Sequence, residues 1–435
     1  MKRIFCTSLL MIALVCTQAL AQADRQLAAR NFVRVADVTS IPLSDTLAEK
    51  KKNPDKSPEK SGRELRAADA GSVAAGDGQR YWVRAEYLNL RIKGSYLPPL
   101  AQRSGATFGL SDAVLVGDTE MSPGNSGGGR ITAGMWLNQG RTIGVEASYF
   151  YLGPRSFNQS FSSINESISN ALPVVLRPYN TVILSKPPYL LSGNLGARGS
   201  LTASLATHLQ GGELNSVYDV GERLCCRVRL LGGFRFLDLK ERLTVLDRHR
   251  FNNINSLGSS DDRFYQVTDE FAARNRFFGG QGGVETEFSR GRLRVEFSGK
   301  VALGGVRQLV NINGSTFRQN AGGGQTITGG FLALETNIGR YERSRFAVLP
   351  EAKASVGYRL TGNLEAFAGY DFLYINRVAR SSEQIDLNIN WSFVPFLIFE
   401  QGPIPPRAGP RRPAFSFSDS PFWAQGLIVG LRAGF

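Results

Sequence analysis

The chain has 435 residues, with 51 Lys and Arg against 37 Asp and Glu, a formal net charge of +14, and 48 glycines. No segment has the long apolar run that a membrane helix needs, and two histidines argue against a His-based metal site. The positive charge is spread along the chain, and an export signal at the start argues against a nucleic-acid partner.

That signal occupies residues 1–23. Lys2 and Arg3 precede the apolar stretch Ile4 to Cys16, and small residues follow in A-x-A spacing at Ala19–Ala21 and Ala21–Ala23. This order predicts a secretory signal peptide cleaved after Ala21 or Ala23. Only Cys225 and Cys226 remain beyond it, and adjacent cysteines offer no disulfide framework. Residues 24–79 are mostly polar and include Lys50-Lys51-Lys52-Asn53-Pro54-Asp55-Lys56. Such a composition does not bury enough apolar surface to order itself, so a flexible periplasmic segment is expected, with lysines that suit contact with the cell wall.

From residue 80 to 435 the hydrophobic period is two. Tyr81, Val83, Ala85 and Tyr87 alternate with Arg84 and Glu86. Ile131, Ala133, Met135 and Leu137 alternate with Arg130 and Thr132, Trp136 being out of phase. Ile143 to Tyr151 alternates around Glu146. Successive strand residues face opposite sides. The same pattern gives strands over Leu201–Leu209, Val228–Phe236, Phe278–Phe288, Leu293–Leu303, Phe346–Leu360, Leu364–Tyr374 and Trp423–Phe435. Short links alternate with long ones, as in outer-membrane barrels with short periplasmic turns and long outer loops. The short link over about 212–227 fits least well. A further weak strand pair would make twelve, with Gly329–Asn337 its likeliest member, and Leu239–Val245 is a candidate extension of the fifth strand. Phase changes near Tyr87–Leu88, Gly211–Gly212 and Gly304–Gly305 are expected to be register slips, with bulges at the two glycine sites.

The fold class expected is therefore all-β: a closed antiparallel transmembrane barrel of about ten strands. Its last strand places Leu427, Val429, Leu431, Ala433 and Phe435 on one face, with Ile428 as the exception. A terminal aromatic there resembles the signal recognised by the outer-membrane barrel assembly machinery, so that machinery and outer-membrane lipid are the partners expected.

Several segments are similar to motifs of the planctomycete-type beta-barrel porin seven family of outer-membrane proteins. These are Gly233–Leu243, Asn275–Gly283, Phe346–Glu351, Gly369–Asn376 with Gln384-Ile385-Asp386, and Phe422–Gly426. Their order also resembles the family's, over about Tyr81 to Phe435. The resemblance implies an outer-membrane barrel and says less about activity.

The polar face carries Arg84, Arg130, Arg229, Arg235, Arg294, Lys300, Lys353, Arg359 and Arg432 against Glu86, Glu146, Glu285, Glu287, Glu296, Glu351, Glu365 and Asp371. Two arrangements fit. Paired charges could cross-link a narrow lumen, because an interior polar group needs partners; a hydrated lumen could instead pass small hydrophilic solutes with mild anion preference. A porin is the leading expectation and a closed structural or surface-binding barrel its rival. His208 is expected to point inward and His249 to lie in an outer loop. His208 has no serine nearby in the spacing of a nucleophile elbow, so a barrel hydrolase is the least favoured alternative, and neither an enzyme nor a cofactor is expected.

Overall fold

The computed structural model describes residues 79–103, 113–163, 175–182, 190–192, 197–223, 226–254, 260–320, 322–395 and 407–435. The expected signal peptide and polar segment lie outside these residues, apart from Gln79.

Ten long antiparallel strands form a ring: β1 (Tyr81–Ile92), β2 (Asn125–Trp136), β3 (Ile143–Ser162), β4 (Ala197–Arg223), β5 (Cys226–Ile254), β6 (Ser260–Arg290), β7 (Leu293–Asn320), β8 (Gly339–Arg359), β9 (Leu364–Val378) and β10 (Ser420–Gly434). Each pairs with its neighbours in the chain, and β10 pairs with β1, with Ala85 opposite Leu431 and Tyr87 opposite Val429. Lipid offers nothing to hydrogen-bond an open edge, so pairing on both sides of every strand is what a spanning sheet requires.

The distribution of residues is inside-out relative to a soluble protein. Near the short-turn end, the outward face carries Leu214, Tyr218, Phe234, Phe278, Leu293, Phe297, Val301, Leu303, Phe346, Val356, Leu427, Leu431 and Phe435, all well exposed. The inward face carries Arg84, Glu86, Arg130, Glu296, Glu351 and Asp371, all buried. On β7 the lipid-facing set runs from Leu293 to Leu303. Ten residue steps on a strand tilted by about 40° span roughly 25 Å, the height of an outer-membrane apolar band. Tyrosines border it: Tyr81, Tyr218 and Tyr358 at the short-turn end, Tyr87, Tyr151 and Tyr370 at the other.

Above this band the polarity of each face reverses while the strand continues. On β7 the even residues point inward throughout. Below they are Arg294, Glu296, Ser298 and Lys300; above they are Val306, Gln308, Val310 and Ile312. Pairing with β6 and β8 runs across Gly304–Gly305 without a shift. β4 passes Gly211–Gly212 and β1 passes Tyr87–Leu88 in the same way. The three expected register slips are thus absent. The apolar set changes face there because the solvent outside changes from lipid to water. The bulge on this side lies elsewhere, on β3 at Gly153-Pro154, where the partners of Thr207 and Leu209 are Arg155 and Leu152. Ile428, the apparent exception in β10, is an inward residue at the height where the interior turns apolar.

This continuity also corrects the loop assignments. The link expected over 212–227 is strand except for residues 224–225, which lie outside the described residues. Much of the expected loops over 237–276 and 304–345 is strand as well. β4 to β7 therefore form a tall wall, while β1, β2, β9 and β10 stop lower. Segments leaving the short strands, over 95–103, 113–121 and 379–394, pack on the inner face of the wall. There Leu97, Val116, Met121, Phe331, Leu334, Ile389 and Phe393 meet Leu201, Leu205, Leu243, Val267, Phe271, Val310 and Ile312. Gly329–Asn337 is not a strand but a tight loop within this core.

Arginine in place of Leu431, at the middle of the apolar band, is expected to destabilise the barrel by about 2–4 kcal/mol. Asn313→Arg, outward on β7 but above the band, should stay within about 0.5 kcal/mol of wild type. Urea unfolding in lipid vesicles, read by heat-modifiable gel mobility, compares the two.

Candidate functional site

The lumen of the lower barrel is where the inward charges meet, and many of the links span strands that are not neighbours. Arg130 on β2 reaches Asp371 on β9 at 2.6 Å and Glu351 on β8 at 3.8 Å, and its other amino group lies 3.4 Å from Glu86 on β1. Lys353 on β8 bonds Glu86 directly. Arg235 on β5 holds Glu351, and Lys300 on β7 donates to Glu213 on β4 at 2.6 Å. Nearer the short-turn end, Arg84 is 3.1 Å from Glu296, to which Arg432 also bonds. Arg294 joins Glu287 and Glu365 at 3.2 and 3.1 Å, and Arg229 joins Glu285 and Glu287 at 2.6 and 3.0 Å. The β1–β8, β2–β8, β4–β7 and β5–β8 links cross the lumen. The void left among these side chains is about 20 Å³, roughly the room for one water.

The structure places all seventeen lumen-facing candidates inside the ring. Glu146 accepts from the Trp82 indole at 3.1 Å, and Arg359 borders the mouth at the short-turn end. Of the two arrangements that fit the sequence, the inward charges mostly take the paired one. Four polar members escape sequence reasoning: Glu213, Asn215, Asp219 and Gln281. Gln281 donates to Glu213 at 2.8 Å and to Asn215 at 2.5 Å, and Asp219 lies 2.9 Å from Arg227. The first three fall in the stretch expected to be a link. The signal that marks them is the alternation of Leu214 and Tyr218 with Glu213, Asn215 and Asp219, in the opposite phase to Leu201–Leu209.

Below the network a cavity of 270 Å³ opens at the short-turn end, bordered by Arg84, Arg141, Arg227, Arg229, Arg294, Arg359 and Arg432 against Glu146, Glu285 and Glu365. Its wall includes Trp82, which lies flat on Gly134; a Cβ there would come within 2.1 Å of the indole. Trp136, out of phase in the sequence, is an inward residue packed on Trp82 at 5.1 Å. Above the network an apolar layer of Leu88, Leu209, Leu237, Phe277, Leu373, Phe422 and Ile428 packs as one cluster, while Phe367 lies within the network under Arg84 and Lys353.

Buried carboxylates on the tall wall then clamp the inserted segments. Asp269 accepts the backbone N–H groups of Phe331, Leu332 and Ala333 at 2.8, 2.9 and 2.8 Å. Gly330 permits this approach, since a Cβ would meet the carboxylate at 2.1 Å. Burial pushes the Asp269 carboxyl up, against the pull of Arg177 and of those three N–H groups. Glu241 receives the Arg380 guanidinium, and Asn275 exchanges two hydrogen bonds with the Ala379 backbone at 2.8 and 2.7 Å.

The histidines lie where sequence reasoning did not put them. His208 points outward, because odd residues of β4 face in, and its ring lies edge-on to Tyr151 at 5.0 Å. His249 belongs to β5 rather than a loop and is fully buried, 3.1 Å from Asp247. Among the described residues no group of three or more His, Cys, Asp and Glu is arranged to hold a metal ion.

The family described as "putative beta barrel porin-7" matches residues 82–435. No curated protein matches the chain. Among solved structures, the outer membrane protease OmpT of Escherichia coli is similar at 10% identity and a TM-score of 0.39, with 82% of this chain and 97% of that one covered. A Pseudomonas aeruginosa FadL homologue follows at 6% identity and 0.21, covering 82% and 90%. The P. putida toluene transporter TodX gives 9% and 0.19, covering 83% and 91%.

Arg130→Met strands Asp371, whereas Glu86 keeps Lys353. It should cost about 3–5 kcal/mol, while adding Asp371→Leu should recover part of it; urea unfolding midpoints test both. At the outer end, burial alone would raise the Asp386 carboxyl. The N–H groups of Ala414 and Asn388 and the Arg412 guanidinium outweigh that and hold it below the ordinary range. A depressed carboxyl contributes stability above its unfolded value, about 4, and that contribution is lost as pH falls through the folded value. Hydrogen exchange at residues 386–389 and 412–414 should accelerate below about pH 4 relative to the tall wall.

Proposed function

The chain belongs to the putative beta barrel porin-7 family, and on that premise we propose that this outer-membrane barrel is a closed-lumen anchor holding a folded outer extension at the bacterial surface. The observation that carries this reading is the ionic bridging across the lumen between strands that are not neighbours, covered by an apolar layer. A hydrated path would have to part both. Parting Arg130 from Asp371 and Glu351 would leave low-dielectric charges uncompensated, at a cost of several kcal/mol. The outer extension has a core, polar outward strands and clamped segments, which suits a rigid surface for binding or structural contact.

Delivery would follow from the export signal at residues 1–23 and from recognition of the last strand by the barrel assembly machinery. Outer-membrane lipid then covers the apolar band, and residues 24–79 would remain on the periplasmic side, within reach of the cell wall. An enzymatic role forms no part of this proposal: His249 and Asp247 hydrogen-bond each other where a substrate would not reach.

The second reading is passive diffusion of small hydrophilic solutes, favoured by the family's description and by the arginine-rich cavity at the short-turn end. It requires the network to open. Planar-bilayer recording separates the two: the closed reading expects a folded, heat-modifiable barrel with no unitary steps. Reproducible steps in the wild type that shift when Arg84 or Arg235 is neutralised would overturn it in favour of the pore.

A further inference from the structure

Immediately above the lipid band, the outward face of β5 to β8 changes from aromatic to charged within one rung of the ladder. Phe236, Phe278, Gly305 and Phe346 form one cross-strand row. The next row outward is Asp238, Arg276, Arg307 and Ser344, and the one after it Lys240, Arg274, Leu309 and Glu342. Four cations thus face two carboxylates on a patch that continues the membrane-facing surface. Both carboxylates are already engaged. Asp238 takes a two-point bond from Arg274 at 2.9 and 2.7 Å, and Glu342 takes one from Arg307 at 2.5 and 2.9 Å.

Arg276 is left between them. It makes no hydrogen bond or ion pair with any described residue, and it stands directly opposite Arg307 on β7. Like charges opposed across a ladder are destabilising unless an anion lies between them. Directly beneath, Gly305 offers no side chain between the rings of Phe278 and Phe346, and a Cβ there would meet nothing within 4 Å. An open notch in the apolar band leading up to a guanidinium with no direct hydrogen bond suits one chemistry: an acyl chain in the notch and a phosphate at the arginines. Guanidinium groups match phosphate in two-point geometry, and basic residues at a membrane surface attract anionic headgroups.

We propose that this patch binds the phosphorylated headgroup of an outer-leaflet lipid, with Arg276 as its central contact and Arg307 and Arg274 beside it. The test inserts the folded chain into phosphatidylcholine nanodiscs containing a minor fraction of bis-phosphorylated lipid A, or the same lipid with its phosphates removed. Native mass spectrometry counts the lipid retained after detergent exchange. Retention of the phosphorylated form over the dephosphorylated one is expected, and Arg276→Gln should weaken it about five-fold, the effect of one basic residue at a membrane surface. That side chain makes no hydrogen bond or ion pair with any described residue, only a longer-range attraction to Glu342, so the variant should fold, as heat-modifiable mobility will report; should it not, the phosphate dependence of the wild type decides alone. Equal retention of both lipids, or retention unchanged by Arg276→Gln, overturns the proposal. Release by millimolar inorganic phosphate also overturns it and marks a site for soluble anions. A conducting or silent lumen leaves each of these outcomes unaffected.

Discussion

A strand that crosses lipid must satisfy its backbone on both sides from within the protein, and the rest of this structure depends on that constraint. It forces ten strands into a ring and joins β10 to β1. The ring then sends alternate side chains outward to lipid and inward to a shared interior. Apolar residues go out. The inward charges are thus desolvated together, and they become tolerable only by pairing with one another. Arg130 with Asp371 and Lys300 with Glu213 follow from this enclosure.

The same strands serve two solvents. On β7, Leu303 faces lipid, whereas Arg307, four residues further on, faces water; inside, Lys300 gives way to Val306. No change in backbone register is needed, because the side-chain period of two is maintained while the medium outside is exchanged. Above the membrane, the wall therefore behaves as one half of a soluble core. The inserted segments supply the other half, held by Asp269, Glu241 and Asn275. These clamps are polar because each must accept or donate to backbone that has left the ladder, and buried backbone groups need partners.

Charge network, apolar layer and clamped core are stacked along one axis, so in the proposed anchor role closure of the lumen would not depend on any single contact. Exposed charge is also left where the wall emerges from lipid, with Arg276 in the middle of it. A fold can share its spanning architecture with pores without sharing their function.

The number of strands and the division of their faces were legible in the sequence, since alternation at period two is a local property of the chain. Inward placement of Arg84, Glu86 and Arg235 follows from that alternation. Where a strand leaves the membrane was not legible. The apolar set then changes face, and this mimics a slip at Gly211–Gly212 and Gly304–Gly305 and hides Glu213, Asn215 and Asp219 within an apparent link. His208 was misplaced for the same reason. Which charges meet across the lumen, and that they meet each other before they meet water, was decided only by tertiary structure. Pairs such as Arg235 with Glu351 are far apart in the chain and on strands that are not neighbours; the closing of the ring brings them together.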